Sequence, residues 1–211
     1  MNARRTAALI LAAAALMALN AGAYAENAPD IAAGGAALIE QHTGAVICAK
    51  EAHKKLPMAS TTKIMTALIV IENCSLGDTV KVSPKAYGVE GSSMYLNAGE
   101  EVSVEDMLYG LMLLSGNDAA VALAIHTAGS VEAFAALMNA RAEEIGAHNT
   151  NFVTPNGLHD PEHYTSAHDM ALITKWALGI DGFRDVFGAT EYTVPVTNKQ
   201  PKERKVGTEL P

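Results

Sequence analysis

The chain has 211 residues, a formal net charge of −8, and 49% hydrophobic but only 5% aromatic residues. The length suits one domain of ordinary size, and the acidic balance argues against non-specific binding to nucleic acid. With so few aromatic rings, alanine and leucine must fill most of the core, a composition that favours helices.

The first residues read as an export signal. Arg4 and Arg5 are followed by an apolar run, Ala7 to Leu19, that is too short for a comfortable membrane span, and Ala23-Tyr24-Ala25 forms an A-x-A cleavage site. Residues 1–25 are therefore expected to be a signal peptide. Cleavage would start the mature chain at Glu26 and move its charge from −8 to −10, because the segment holds two arginines and no acids. A retained anchor helix is the alternative. Export would permit a disulfide between the two cysteines, Cys48 and Cys74; two small buried apolar side chains is the plainer reading.

Residues 26–211 are read as a single domain. Ala36 to Glu40 and Ala45 to Ala49 form a predicted hairpin around a His42-Thr43-Gly44 turn. Two strands alone do not make a stable sheet, so this hairpin calls for further strands. Leu56-Pro57 leads into a helix with Ile64, Met65, Ala67, Leu68 and Ile71 at core spacing, ending between Asn73 and Gly77. Thr79 to Val82 alternates like a short strand, and Tyr87 to Gly99 is a loop. Ser103 opens a capping box for a helix that places Met107, Leu108, Leu111, Met112 and Leu114 inward. After Ser115-Gly116-Asn117 a second helix runs to about Thr127. Ser130 caps a third, which Gly146 stops, with Arg141, Glu143 and Glu144 on a solvated face. Asn149 to Tyr164 is a polar loop, Ser166 opens a capping box for a helix reaching Gly179, and Thr190 to Val196 alternates like a strand. The remaining residues are polar and basic.

Two short motifs carry chemistry. Ser60 and Lys63 are three apart at a helix start and so share a face. An alcohol needs a base beside it to act as a nucleophile, and a lysine can serve if burial lowers its pKa. Backbone N–H groups at the helix start can steady an oxyanion. Alone, Ser-x-x-Lys is more simply a helix cap, and a lone Ser-Gly-Asn is too. The two together, Ser60/Lys63 and Ser115/Asn117, are the signature pair of penicillin-binding proteins and serine β-lactamases.

With the text around them, the chain resembles the serine-type D-alanyl-D-alanine carboxypeptidases of the low-molecular-mass penicillin-binding protein family, peptidase S11. The resemblance runs from about Ala33 to about Pro201. It includes Pro57 to Lys63, Gly91 to Leu96, Leu113 to Ala120, Asn156-Gly157-Leu158 and His163 to Ala167. It implies an α+β, β-lactamase/transpeptidase-like fold, with a helical cluster packed on an antiparallel sheet that is incomplete in this chain. It implies that Ser60 attacks the last peptide bond of a peptidoglycan stem peptide ending in D-Ala-D-Ala, and that Lys63 takes its proton. Ser115 would relay a proton to the leaving group, and Asn117 would orient the substrate amide and Lys63. β-Lactams would acylate Ser60. No metal or organic cofactor is implied, and the place of action would be the cell envelope.

The chain departs from the family's pattern at its end. The third motif, Lys-Thr-Gly on a later sheet strand, is not reached before Pro211 and is only faintly imitated by Lys205-Val206-Gly207-Thr208. The expectation is a C-terminally truncated domain, without the β-rich domain and membrane-binding segment of many relatives. Two other readings stay open. A class A β-lactamase would carry Ser-Asp-Asn in place of Ser115-Gly116-Asn117, and a catalytically incomplete remnant would not acylate. His159, His163 and His168 beside Asp160 and Glu162 invite a zinc reading, but their spacing matches no H-E-x-x-H helix; ordinary hydrogen-bonding roles are expected.

Overall fold

The computed structural model describes residues 30–207. The predicted export signal, its cleavage site and Thr208 lie outside the described residues.

A run of apolar residues on all sides of a helix can only be satisfied in an interior. Thr62 to Asn73 is such a run, and it forms the central helix, α1, which touches every other helix. Met65, Ala67, Leu68, Ile69 and Val70 are buried, while Ile64 and Ile71, expected in the core, are only half-buried at its margin. Around α1 stand α2 (Val104–Leu113), α3 (Asn117–Ala128), α4 (Val131–Ile145), α5 (Ala167–Ala177) and a short α6 (Phe183–Gly188). The predicted caps are present. Ser103, Ser130 and Ser166 each accept from the backbone N–H three residues on, and Gly146 ends α4 in the left-handed conformation. Among the described residues no single helix is long and apolar enough to cross a membrane.

In place of one sheet, the described residues hold three separate antiparallel pairs. β1 (Ala36–Ile39) pairs with β2 (Val46–Lys50) as the expected hairpin, with a register shift between Leu38 and Ile39. The hairpin leans on α5 and leaves Leu38, Val46 and Ile47 exposed. β3 (Thr79–Lys81) pairs with β4 (Glu101–Ser103), a strand too short to stand out in the sequence. β5 (Glu191–Val194) pairs with β6 (Arg204–Gly207). β6 corrects the reading of the C-terminal residues as merely polar and basic. Its one apolar residue, Val206, is buried, and the polar ones face outward or pair.

Two further expectations change. Arg141 does not lie on a solvated face. It bridges Glu72 of α1 and Glu144 of α4 and sits over the Trp176 ring, clamping three helices. Cys48 and Cys74 are both free, as the plainer reading held, and only partly buried.

Candidate active site

The site is built where α1 begins. Residues Ala59–Thr61 form a single 3-10 turn ahead of α1, and Ser60 sits exposed on it. Ser60 is not a helix cap: neither Met58 nor Thr61, which flank the turn and the helix, makes a side-chain cap, and the hydroxyl of Ser60 faces Lys63 instead. Ala59 has a φ of +45°, in the left-handed region that non-glycine residues rarely occupy. Such strain persists only where the surroundings enforce it, commonly at functional sites.

Lys63, one turn into the protein, is 2% exposed. Its ammonium donates to Ser60 Oγ at 3.2 Å, to Asn117 Oδ1 at 2.8 Å and to the Asn156 carbonyl at 2.8 Å. These satisfy all three N–H donors. No carboxylate balances the charge among the described residues. Burial pushes the amine down to about 8. A buried lysine without a counter-ion, in contact with a hydroxyl, is the arrangement in which lysine can work as a base.

Asn117 arrives from the far side. It is the first residue of α3, and Gly116 takes the cap position, so its side chain is free to point into the site. Oδ1 accepts from Lys63 and Nδ2 donates to the Glu90 carbonyl at 2.6 Å, while its backbone N–H donates to Ser92 O at 2.7 Å. The loop carrying Glu90 to Leu96 thus becomes the opposite wall. Asp118 holds that loop in shape. Its buried carboxylate accepts from Ser93 Oγ, Met94 N, Leu96 N and Ala119 N at 2.7–3.0 Å. An acid in the first turn of α3 is also favoured by the helix dipole.

Of the expected site residues, the structure brings Ser60, Lys63 and Asn117 into one hydrogen-bonded group. Ser115 is carried to the same turn, in a left-handed conformation at φ +55°, half-buried. Its hydroxyl makes no hydrogen bond to the other three among the described residues. Lys205, Val206 and Gly207 are not brought to the group. They lie on β6, whose strand packs against β5 and α2.

The sequence reading missed three contributors. The carbonyl of Asn156 is a backbone group with no side-chain signature. Asp118 stood within the Leu113-to-Ala120 motif with no role assigned to it. Thr62, between the two motif residues, is fully buried and donates to the Ala59 carbonyl at 2.7 Å. Gly157 did carry a signal, as part of the Asn156-Gly157-Leu158 motif, and the structure gives its reason: its φ is +86°, and a Cβ there would lie 2.0 Å from the Ala59 oxygen.

The three histidines of the polar loop separate. His163 is buried beneath the Ala59–Thr61 turn, His159 is exposed, and His168 stands beside His53 and Asp169. Those last three are the one metal-like grouping among the described residues. Asp169 Oδ2 is already committed to Asn149 N and Thr150 Oγ1, and His168 and Asp169 lie in the first turn of α5, where the helix dipole opposes a cation.

A family model described as D-alanyl-D-alanine carboxypeptidase matches residues 22–199. The chain is 42% identical over 161 residues to D-alanyl-D-alanine carboxypeptidase DacF of Bacillus subtilis, covering 74% of this chain and 41% of that protein. It is 34% identical over 224 residues to a D-alanyl-D-alanine carboxypeptidase of Streptomyces sp. strain K15, covering 99% of this chain and 77% of that one. The crystal structure of a D-alanyl-D-alanine carboxypeptidase from Mycobacterium tuberculosis superposes with a TM-score of 0.81 at 28% identity, over 89% of this chain and 71% of that chain. The matches span about two fifths of the length of the first curated relatives. The fold is thus the α+β fold of penicillin-binding proteins and β-lactamases, and the chain belongs to the D-alanyl-D-alanine carboxypeptidase family, peptidase S11.

Proposed function

We propose that this chain carries the nucleophile and base of an exported serine D-Ala-D-Ala carboxypeptidase of the cell envelope. The observation that carries the reading is the contact of Ser60 Oγ with a buried Lys63 amine that has no counter-ion among the described residues. Ser60 Oγ attacks the carbonyl carbon between the last two D-alanines of a stem peptide, and its proton passes to Lys63 Nζ. The Ser60 N–H steadies the oxyanion. As the tetrahedral intermediate collapses, the C–N bond breaks, Ser115 relays the proton held by Lys63 Nζ to the departing amine, and D-alanine leaves. Water then hydrolyses the ester on Ser60. Asn117 holds Lys63 through Oδ1, and its further role in this reading is to orient the peptide amide. β-Lactams enter by the same attack.

Fluorescent penicillin tests this directly. The wild-type chain is expected to carry a label that survives denaturation, and Ser60→Ala to carry none while keeping its circular dichroism and melting temperature. Release of D-alanine from a D-Ala-D-Ala peptide is expected to follow the same pattern. A folded wild-type chain that takes no label would overturn the reading, and rapid turnover of the penicilloyl-enzyme would point to a β-lactamase instead.

A further inference from the structure

Beneath the nucleophile lies a hydrogen-bond relay whose direction is fully determined. His163 is 4% exposed and its ring meets Phe152 edge-on. Nδ1 faces the backbone N–H of Val153 at 3.0 Å and that of Thr154 at 3.4 Å. Both are donors only, so Nδ1 must present its lone pair. In a neutral imidazole the proton then sits on Nε2. Burial favours that neutral ring, holding His163 below the ordinary histidine range despite the nearby Asp160. Nε2 is 2.8 Å from Thr62 Oγ1 and therefore donates to it. Thr62 Oγ1, having accepted, spends its own proton on the Ala59 carbonyl at 2.7 Å.

The end of the relay is the important point. The Ala59 carbonyl and the Ser60 N–H are opposite edges of one planar trans peptide, so fixing the oxygen fixes where the N–H points. That peptide follows a residue at φ +45°, a conformation that needs external support. Gly157 closes over the same oxygen, leaving no room for a Cβ at 2.0 Å and so no room for the plane to rotate.

We propose that His163, acting through Thr62, is a positioning residue that holds the Ala59–Ser60 peptide and so aims the Ser60 N–H at the oxyanion. The proposal rests on the serine carboxypeptidase reading above and deepens it. It assigns a catalytic consequence to a histidine that touches neither Ser60 nor Lys63.

The test separates positioning from stability. Thr62→Val keeps the shape of the side chain and removes the hydroxyl; Thr62→Ser keeps the hydroxyl. With fluorescent penicillin, Thr62→Val is expected to lower the acylation rate constant roughly 10- to 100-fold, since a misplaced group near the chemistry costs about that much. Initial non-covalent binding should change little, and Thr62→Ser should recover most of the rate. Acylation by Thr62→Val at the wild-type rate, or a fall in Thr62→Ser as large as in Thr62→Val, would overturn the proposal. Nitrogen NMR provides a readout that needs no activity. His163 is expected to be the Nε2–H tautomer, and the Ser60 amide signal is expected to move on Thr62→Val and return on Thr62→Ser. An Nδ1–H tautomer, or an unmoved Ser60 amide, would overturn the relay even if the wild-type chain acylates. An unlabelled wild-type chain with the expected spectra would remove the carboxypeptidase reading and leave the relay standing as the support of the turn.

Discussion

At the scale of the residue, the proposed chemistry depends on how often Lys63 is neutral. With its amine lowered by burial to about 8, on the order of a tenth of molecules are neutral at pH 7. Acylation by penicillin is therefore expected to rise with pH through about 8 and then level off, as a stopped-flow profile would show; a flat profile through that range would remove Lys63 as the base. Lys63→Arg keeps the charge but cannot lose its proton, and is expected to reduce acylation by roughly 10²–10⁴. The Ser-x-x-Lys spacing was legible in the sequence because it is a local, helical relation. The cause of the lowered pKa was not, because burial of Lys63 is produced by Asn117 and Asn156, 54 and 93 residues away.

At the scale of the element, the wall opposite α1 is set by how closely the loop can lie on α2. Gly110 faces Met94 so tightly that a Cβ there would be 2.0 Å from the sulfur and 2.6 Å from Cγ. Gly110→Ala is expected to destabilise by about 1–3 kcal/mol through overpacking, read as a lower melting temperature. Combining it with Met94→Ala should recover part of that loss, because the clash is with a side chain; equal melting temperatures for the single and double variants would mean the backbone, not Met94, takes the strain. Helices with capping residues were readable in sequence because a cap acts within one turn. β4 and β6 were not, because each is short and gains its place from a partner strand and not from its own pattern.

At the scale of the whole molecule, the β5–β6 pair is held to the body by a buried ion pair. Glu100 is fully buried and accepts from Arg204 Nη2 at 2.9 Å and from Thr197 Oγ1 at 2.7 Å, with Arg204 Nη1 also 2.7 Å from Oε1. Burial pushes its carboxyl up, but Arg204, Asn97 and Thr197 outweigh that and hold it below the ordinary 4.5. A carboxyl lowered on folding contributes stability above its unfolded value and loses it as pH falls through the folded one. Glu100→Gln is expected to cost roughly 3–5 kcal/mol at neutral pH, since it leaves Arg204 without its counter-charge. Its unfolding free energy should also fall less than that of the wild type on acidification below about pH 4.5. Urea titrations of both proteins across that range would check the two statements together.

From sequence alone came the helical cluster, its caps, the lone hairpin and the pairing of Ser60 with Lys63, all relations that act within a turn or between neighbouring strands. Tertiary structure alone decided that the Asn156 carbonyl would meet Lys63 and that Arg141 would clamp three helices. It also decided that Arg204–Gly207 would form a strand on α2 and that His163 would sit under the Ala59–Thr61 turn. These contacts join residues tens of positions apart, and only burial in a common core selects them.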